Sequence, residues 1–162
     1  MKRIENSFWK LTASGFGLGY SPVAPGTMGA IGAMGVAILI LNYLADPYLW
    51  LACLSLVFTI LGVVGSNKLQ SQWGKDPSRI VIDEMVGMWV SLMWVGSAWI
   101  HFVGAFILFR FFDIVKPLGI RKTEKFPGGW GVMADDILAG FYTNIILQII
   151  IWFILPVFYK IN

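Results

Sequence analysis

The feature that most constrains this chain is a set of four stretches that contain no Lys, Arg, Asp or Glu. They cover residues 29–45, 47–67, 85–109 and 137–159, and each is at or near the roughly 17–25 residues that a membrane-spanning helix requires. Only 13% of the 162 residues are charged, whereas 57% are hydrophobic. A soluble fold of this length has too little interior to bury so much apolar chain. The sequence therefore predicts an all-α, multi-span membrane protein.

The remaining global features exclude some classes of partner and suggest a simple organisation. The net charge is only +3, which implies no nucleic-acid partner, and protein partners cannot be identified from the sequence. The single cysteine, Cys53, has no disulfide partner and is expected to pack within a helix. The N-terminal residues lack the early apolar region of a cleaved signal peptide. We expect residues 1–162 to form a single membrane-embedded domain.

The distribution of basic residues predicts which connections face the cytoplasm. Lys and Arg occur in segments 1–27, 67–84 and 110–136, whereas the turn at 42–48 has none. By the positive-inside rule, the three basic segments are cytoplasmic and the turn is external. A single crossing by residues 85–109 would place segments 67–84 and 110–136 on opposite sides of the membrane, which conflicts with this rule.

A break within the third apolar stretch resolves the conflict. Gly96 and Ser97 lie in the middle of that stretch, and both residue types favour a turn. We therefore expect a hairpin or re-entrant helix pair at 84–116, with helices at 84–95 and 99–116. The first of these helices is too short to cross a bilayer at about 1.5 Å per residue. The prediction is three full spans plus this pair.

Five of the nine acidic residues fall at three places that this topology brings to the same membrane face. Asp83 and Glu84 are expected to open one helix, and Asp135 and Asp136 to open another that begins at 137. Asp113 lies three residues from Arg110 and from Lys116, so these three side chains should share a helical stripe. The acidic residues are therefore expected to form one site.

Such a concentration of carboxylates at a membrane boundary requires compensation. Two like charges about 4 Å apart repel by roughly 4 kcal/mol at an effective dielectric constant near 20. A divalent cation or pairing with Arg110 and Lys116 would relieve this repulsion, and oxygen-only ligands suit Mg²⁺, Mn²⁺ or Ca²⁺. Acids that open helices also act as caps and dipole partners, but two acidic pairs and a fifth acid favour a site. The sequence lacks the Cys–Arg, His, Asp-x-Asp and Ser–His patterns of covalent phosphatases and hydrolases, which leaves metal-assisted chemistry.

A glycine-rich segment precedes the first apolar stretch and could approach an anion closely. Thr27 is a plausible N-cap for the helix that follows, whose free N–H groups attract anions. In that helix glycine recurs every third residue, at Gly26, Gly29, Gly32 and Gly35. A stripe of small residues lets another helix pack closely in a membrane.

Three long motifs resemble the bacterial phosphatidylglycerophosphatase A family. They are GLGYSPVAPGTMG at 17–29, IVIDEMVGMW at 80–89, and FRFFDIVKP at 109–117 continuing to GWGVMADDILAG at 129–140. The resemblance runs from about residue 15 to 145 in the same order and spacing. One departure is that Pro117 is followed by Leu118, where the family usually has a second proline.

The resemblance implies a helical, Mg²⁺-dependent enzyme of the bacterial inner membrane, with its active site at the cytoplasmic face. Its expected reaction is hydrolysis of the phospholipid phosphatidylglycerophosphate to phosphatidylglycerol and phosphate. The expected site residues are Asp83, Glu84, Asp135 and Asp136 as metal ligands, Asp113, Asp83 and Asp136 as catalytic residues, and Thr27, Gly26, Arg110 and Lys116 at the phosphate or headgroup. Lys75, Asp76 and Arg79 are weaker candidates.

Three alternative functions remain open at this stage. A small cation transporter would also place acids among membrane helices, but near the bilayer centre rather than at span ends. A divalent-metal-dependent headgroup transferase would bind its metal through aspartates, but the spacing of the CDP-alcohol type is absent. A lipid-binding scaffold without activity is the third alternative.

Overall fold

A computed structural model describes residues 2–74 and 77–154, excluding the side chains of residues 2, 3 and 154. These parts of the chain are helical and contain no strand, which confirms the predicted all-α class. The helices are α1 (Lys2–Ala13), α2 (Pro25–Tyr43), α3 (Pro47–Trp73), α4 (Ile82–Ser91), α5 (Trp99–Val115), α6 (Ile120–Thr123) and α7 (Trp130–Ile149). A 3₁₀ turn covers Leu18–Tyr20, and α7 continues as a π-helical segment, Ile150–Ile154.

Three helices are long and apolar enough to cross a membrane, as predicted. They are Pro25–Tyr43 with 19 residues, Pro47–Trp73 with 27, and Trp130–Phe153 with 24. The first two begin at a proline, a residue favoured at the first helical position because its missing N–H has no helical partner there. Their outer faces expose large apolar side chains, including Leu39, Leu56 and Ile60. Such faces suit contact with lipid chains rather than with water.

The third apolar stretch forms the predicted hairpin. Helix α4 ends at Ser91 and α5 begins at Trp99, and Gly96 lies between them with a φ of +82°, a conformation that glycine adopts readily. With 10 residues, α4 is about 15 Å long and is too short to span a bilayer. It packs against α2, α3, α5 and α7, and nearly all its side chains are buried. Helix α4 is thus a short central helix enclosed by the longer ones.

Helices α4 and α7 pack with their backbones in close contact. A Cβ atom on Gly140 would lie 2.5 Å from the carbonyl oxygen of Gly87, and one on Gly87 would lie 2.7 Å from the carbonyl oxygen of Asp136. No side chain other than hydrogen fits at either position, which is how small residues permit close helix packing in membranes. This contact places the first turn of α4 beside the second turn of α7.

The C-terminal end of α4 is closed by amide side chains of α7. The Asn144 side-chain amide donates hydrogen bonds to the carbonyl oxygens of Ser91 (3.2 Å) and Met93 (2.6 Å). Gln148 donates to the Met93 carbonyl (3.4 Å) and to the side-chain oxygen of Asn144 (2.8 Å). The last carbonyl groups of any helix lack hydrogen-bond partners within the helix. When that helix end is embedded in a membrane, other parts of the protein must supply the donors.

Two local expectations at the start of the chain were incomplete or wrong. The segment before the first span was described only as polar and glycine-rich, without a helix, but residues 2–13 form α1, which packs along α3. Thr27 was expected to cap α2, yet α2 begins at Pro25 and its N-cap is Ala24. The fixed φ of proline pre-organises this start, and Thr27 is therefore the third residue inside the helix.

The predicted glycine stripe on α2 does receive close neighbours, but from different elements. A Cβ on Gly29 would lie 2.8 Å from Cβ of Val81, at the start of α4, and Gly32 faces Leu18 of the 3₁₀ turn. Gly35 has nothing within 4 Å of such an atom. The stripe therefore accommodates the start of α4 and the preceding turn, and no single helix packs along it.

Candidate metal and phosphate site

Three carboxylates from α4 and α7 converge between the helices. One oxygen from each of Asp83, Glu84 and Asp136 lies within 4.8 Å of the other two. Asp83 and Asp136 are buried, and Glu84 is partly buried. Asp83 and Glu84 lie in the first turn of α4, as predicted. The expected helix start at 137 is wrong, because α7 begins at Trp130 and places Asp135 and Asp136 in its second turn. There the helix dipole acts only weakly on them.

The three carboxylates line a cavity of about 240 Å³ with two further acids. Its lining residues are Pro77, Ser78, Ile80, Asp83, Glu84, Asp113, Lys116, Val132, Asp135 and Asp136. The structure thus brings together all five acids that the sequence singled out. Lys116, which was expected at the phosphate, lines the same cavity. These residues come from α4, α7, the end of α5 and the segment before α4.

Two of the five acids are paired with basic side chains. Arg110 forms an ion pair with Asp113, one turn along α5. Lys116 forms ion pairs with Asp135 and, at 2.8 Å, with Glu124. Lys116 was expected on the same stripe as Asp113, but α5 ends at Val115 and Lys116 has a left-handed backbone conformation. This conformation turns its side chain away from the stripe and towards α7.

The other three acids form no ion pair within the described part of the chain. In addition, Oε2 of Glu84, Oδ1 of Asp136 and Oδ1 of Asp135 are buried without a hydrogen-bond partner among the described residues. Buried polar atoms in folded proteins nearly always pair with protein groups, water or ions, so three such oxygens around one cavity are available to bind an ion. The atoms here that could coordinate a metal are all carboxylate oxygens. Such ligands fit a hard divalent cation such as Mg²⁺, Mn²⁺ or Ca²⁺.

Lys116 keeps its positive charge in this setting. Burial alone would lower the pKa of its ammonium group, but the hydrogen bonds to Asp135 and Glu124 outweigh burial and raise this pKa above its ordinary value. The site therefore retains a cation next to the carboxylate cluster. A protonated lysine in this position can bind phosphate oxygens.

Neither Gly26 nor Thr27 lines the cavity, but Gly26 lies directly against the Glu84 carboxylate. A Cβ atom on Gly26 would overlap Oε1 of Glu84 and would lie 3.3 Å from Nη1 of Arg110. The absence of a side chain at this position is thus what lets the Glu84 carboxylate reach the first turn of α2. Thr27 is partly buried one residue further along.

Among the weaker candidates, Arg79 does not line the cavity. Lys75 and Asp76 lie outside the described residues. Arg79 is exposed, and its guanidinium lies 5.9 Å from the ring centroid of Tyr20. This cation–π contact accounts for the position of the Arg79 side chain without any role in the site.

Sequence reasoning missed one charged residue of the site. Glu124 lies after α6 and forms an ion pair with Lys116 across eight residues of chain. No helical spacing or motif points to this contact, because it depends on the turn between α5 and α6. Leu118 and Gly119 in that turn have φ values of +54° and +90°. Proline cannot adopt a positive φ, so this turn requires a residue other than proline at position 118.

The fold and this site define a class: a multi-span helical membrane protein with a buried carboxylate cluster suited to a divalent cation. Comparison with known proteins identifies the family. The family described as Phosphatidylglycerophosphatase A matches residues 11–151, and the chain belongs to that family. This membership confirms the predicted enzyme class, a phosphatase that acts on phosphoric monoesters.

Three relatives cover most of the chain. A protein of Bacteroides thetaiotaomicron named "Putative phosphatidylinositol-3-phosphatase" is 50% identical over 151 residues, or 89% of this chain and 94% of that protein. A Phosphatidylglycerophosphatase A of Haemophilus influenzae is 39% identical, covering 85% of each chain. Its namesake in Escherichia coli is 36% identical, covering 88% of this chain and 83% of that protein. No solved structure gives a significant match.

Proposed function

We propose that this chain hydrolyses phosphatidylglycerophosphate within the bacterial inner membrane, releasing phosphatidylglycerol and inorganic phosphate in a Mg²⁺-dependent reaction. The observation that carries this proposal is the convergence of the Asp83, Glu84 and Asp136 carboxylates beside a protonated Lys116. Glu84 and Asp136 each keep a buried oxygen without a partner among the described residues. Metal-assisted hydrolysis of a phosphomonoester needs carboxylate ligands for the metal ion and a basic side chain for the phosphate. The family and the two relatives named as phosphatidylglycerophosphatases support the choice of lipid.

The carboxylate cluster would hold Mg²⁺ through Asp83, Glu84 and Asp136. Asp135 is a further candidate ligand, since its Oδ1 is free while its other oxygen accepts from Lys116. When bound, the ion would polarise a phosphoryl oxygen and lower the pKa of a coordinated water. Among the proposed catalytic residues, Asp83 and Asp136 act by holding this charge in place.

The residues that form ion pairs, Asp113, Arg110 and Lys116, would bind the phosphate and activate the water. Asp113 is close enough to Glu84 and Asp136 to interact with them electrostatically, so it can accept a proton from a water at the cluster. Arg110 holds Asp113 through one guanidinium nitrogen, while its Nε is buried without a partner. Arg110 and Lys116 would bind phosphate oxygens, since hydrogen bonds between charged groups are stronger than those between neutral ones.

The start of α2 would meet the lipid headgroup. Gly26 lies against Glu84, and the free N–H groups of this first turn attract anions. Thr27 could contribute its hydroxyl from the same turn. The acyl chains would remain in the bilayer, because moving them into water would expose apolar surface.

A second candidate substrate is a phosphatidylinositol phosphate. The relative named "Putative phosphatidylinositol-3-phosphatase" is 50% identical, a higher identity than that of the two phosphatidylglycerophosphatases named above. Both lipids present a phosphomonoester on an anionic headgroup, so the same residues could act on either one. The two differ in the bulk of the inositol ring.

The direct test is phosphate release by purified protein in lipid vesicles. Phosphatidylglycerophosphate and phosphatidylinositol-3-phosphate should be compared at equal surface concentration, each with Mg²⁺ and with a chelator. We expect hydrolysis of phosphatidylglycerophosphate to be faster and to require Mg²⁺. Preference for the inositol lipid would select the second candidate, and equal rates with chelator would contradict the metal assignment. A short-chain phosphatidylglycerophosphate should still be hydrolysed, with a raised KM.

The proposed cytoplasmic location of the site can be tested by thiol labelling. The exposed Cys53 is first replaced by Ser, and single cysteines are then introduced at Ser71, Thr123 and Asp46. An impermeant reagent added to intact cells should label only the cysteine at position 46. Labelling at position 123 from outside would contradict the proposed topology and would place the site at the opposite face.

A further inference from the structure

The segment that connects α5 to α7, residues 117–129, is held in place at several points. We call it the basic loop. Ile120 is fully buried, the Tyr142 hydroxyl donates to the Leu118 carbonyl (3.1 Å), and the Gly129 N–H donates to the Asn67 side chain (2.8 Å). The ion pair between Glu124 and Lys116 ties the loop to the active-site cavity. The basic loop is therefore an ordered surface next to the site.

This ordered surface presents three basic side chains that have no partner among the described residues. Arg121, Lys122 and Lys125 are exposed. Every other basic residue with a described side chain has an acidic or aromatic neighbour: Lys68 with Glu5, Arg110 with Asp113, Lys116 with Asp135, Lys10 with Trp73 and Arg79 with Tyr20. Among the described side chains, these three are thus the basic residues with neither an acidic nor an aromatic neighbour, and all three lie on the basic loop.

Exposed apolar side chains accompany these charges. Leu118, Phe126 and Trp130 expose 74%, 49% and 51% of their surface. Leu118 follows Ile114 and Val115 of α5 closely in the sequence, and these two apolar side chains are also exposed. Aromatic and basic side chains together at the end of an apolar face are typical of the boundary between lipid chains and headgroups.

We infer that the basic loop is a binding surface for anionic phospholipid headgroups of the leaflet from which the substrate enters. Two observations select this occupant: the charge of the loop is complementary to anionic lipid, and its apolar side chains continue the lipid-facing surface. Each Lys or Arg near an anionic membrane surface adds about fivefold to lipid association. The surface would enrich anionic lipids beside the cavity, whichever phosphorylated lipid the site hydrolyses.

Lipid selectivity can be measured without any reaction. Purified protein is reconstituted in phosphatidylcholine vesicles that contain either spin-labelled phosphatidylglycerol or spin-labelled phosphatidylcholine. Electron paramagnetic resonance then gives the relative association constant of the two probes at the protein surface. The variant Arg121→Gln/Lys122→Gln/Lys125→Gln removes the three charges of the loop. The matched control, Arg79→Gln/Lys10→Gln/Lys68→Gln, removes the same residue types where each has a partner.

We expect the wild type and the control to prefer the phosphatidylglycerol probe severalfold, and the loop variant to lose most of this preference. The preference should also fall as salt is raised to about 1 M, where the screening length is only about 3 Å. If the wild type showed no preference for the phosphatidylglycerol probe, the inference would be overturned. The three charges would then serve only to set the membrane topology or to contact a protein partner. An equal loss in both variants would also overturn it, because net charge and not the loop would then be responsible.

The effect on activity forms a separate readout. In vesicles of phosphatidylcholine with dilute phosphatidylglycerophosphate, the loop variant should raise the apparent KM about tenfold or more and leave kcat within about twofold. Thiol labelling of a cysteine at position 46 confirms that each variant keeps the wild-type topology. A fall in kcat without a change in KM would contradict a role in lipid enrichment. Absence of hydrolysis by the wild type would instead contradict the proposed function, while the selectivity measurement would still stand.

Discussion

The two ends of α4 make opposite use of buried polar groups. At its C-terminal end, the carbonyl groups of Ser91 and Met93 are met by the amides of Asn144 and Gln148. At its N-terminal end, Glu84 and the neighbouring Asp136 keep buried oxygens without a partner among the described residues. Both ends pack against the same helix, α7. The difference shows that this fold can pair buried polar atoms at one end of an embedded helix, whereas carboxylate oxygens at the acidic end stay without a partner among the described residues.

This contrast separates structural from functional polar groups. A buried group left without its hydrogen bond costs about 1–3 kcal/mol, and more when it is charged. Clustered carboxylates add repulsion to that cost. A sequence that tolerates both at one end of a helix, while it closes the other end, is consistent with an external ligand at the first.

Replacing Asp136 by Asn should have the largest effect on catalysis. The substitution keeps the size of the side chain but removes one charge from the cluster, so activity should fall on the order of 10²–10³-fold. The melting temperature without metal should stay the same or rise, because a repulsive charge is lost. Turnover with Mg²⁺ and thermal unfolding are measured on the same preparation. A destabilised but fully active variant would show that Asp136 is structural.

The substitution Gly26→Ala should disturb the acidic end from the opposite helix. Its Cβ would overlap Oε1 of Glu84, so the carboxylate must move, and we expect activity to fall roughly 10–100-fold. Gly35→Ala is the matched control, since the same helix has open space at that position. There the exchange should leave activity unchanged and stabilise the helix by up to about 1 kcal/mol. Equal activity of the two variants would remove Gly26 from the site.

Replacing Lys116 by Gln should mainly weaken substrate binding. A hydrogen bond to a charged group is worth about 1.5–3 kcal/mol, so we expect the KM to rise about tenfold or more. Because the pKa of Lys116 is raised, its charge is lost only above the ordinary lysine pKa of about 10.4. The wild-type KM should therefore show no rise from Lys116 deprotonation between neutral pH and about pH 9. Steady-state kinetics across this range check both statements.

Replacing Asn144 by Ala should affect stability and spare the chemistry. Loss of its amide leaves the Ser91 carbonyl without this partner, at a cost of about 1–3 kcal/mol in unfolding free energy. Activity per folded molecule should remain within about twofold, since the cluster lies at the other end of α4. Asn42→Ala is the control, because Asn42 donates to the Ile38 carbonyl at an exposed position (2.8 Å). A large loss of activity in Asn144→Ala with intact stability would break the contrast between the two ends.

The sequence predicted the parts of the fold that depend on composition along the chain. Apolar length predicted the three long helices, and the Gly96 break with the basic segments predicted the hairpin. It did not predict α1, although Ile4, Phe8 and Leu11 recur at helical spacing and are exposed on one side. This segment is too short in apolar length to be recognised as the long helices were. Its helix is supported by packing along α3.

The sequence predicted which acidic residues form the site, but it did not predict which basic side chain pairs with which acid. Clustered acids next to apolar helices indicated which residues would meet. The pairing of Lys116 with Asp135 and Glu124 depends on where α5 ends and how the next turn runs, which local spacing does not determine. The same is true of Gly26, whose contact with Glu84 arises only when α2 packs against α4.

Cation binding is the measurement that tests the central claim most directly. Mn²⁺ is a paramagnetic substitute for Mg²⁺ with the same preference for oxygen ligands, so its binding to the purified protein can be followed by electron paramagnetic resonance. We predict saturable Mn²⁺ binding that Mg²⁺ competes away. It should weaken at least about tenfold in Asp83→Asn, while Asn144→Ala binds as the wild type does. Binding of equal strength in Asp83→Asn and the wild type, or no saturable binding in either, would contradict a cation site at the acidic end of α4.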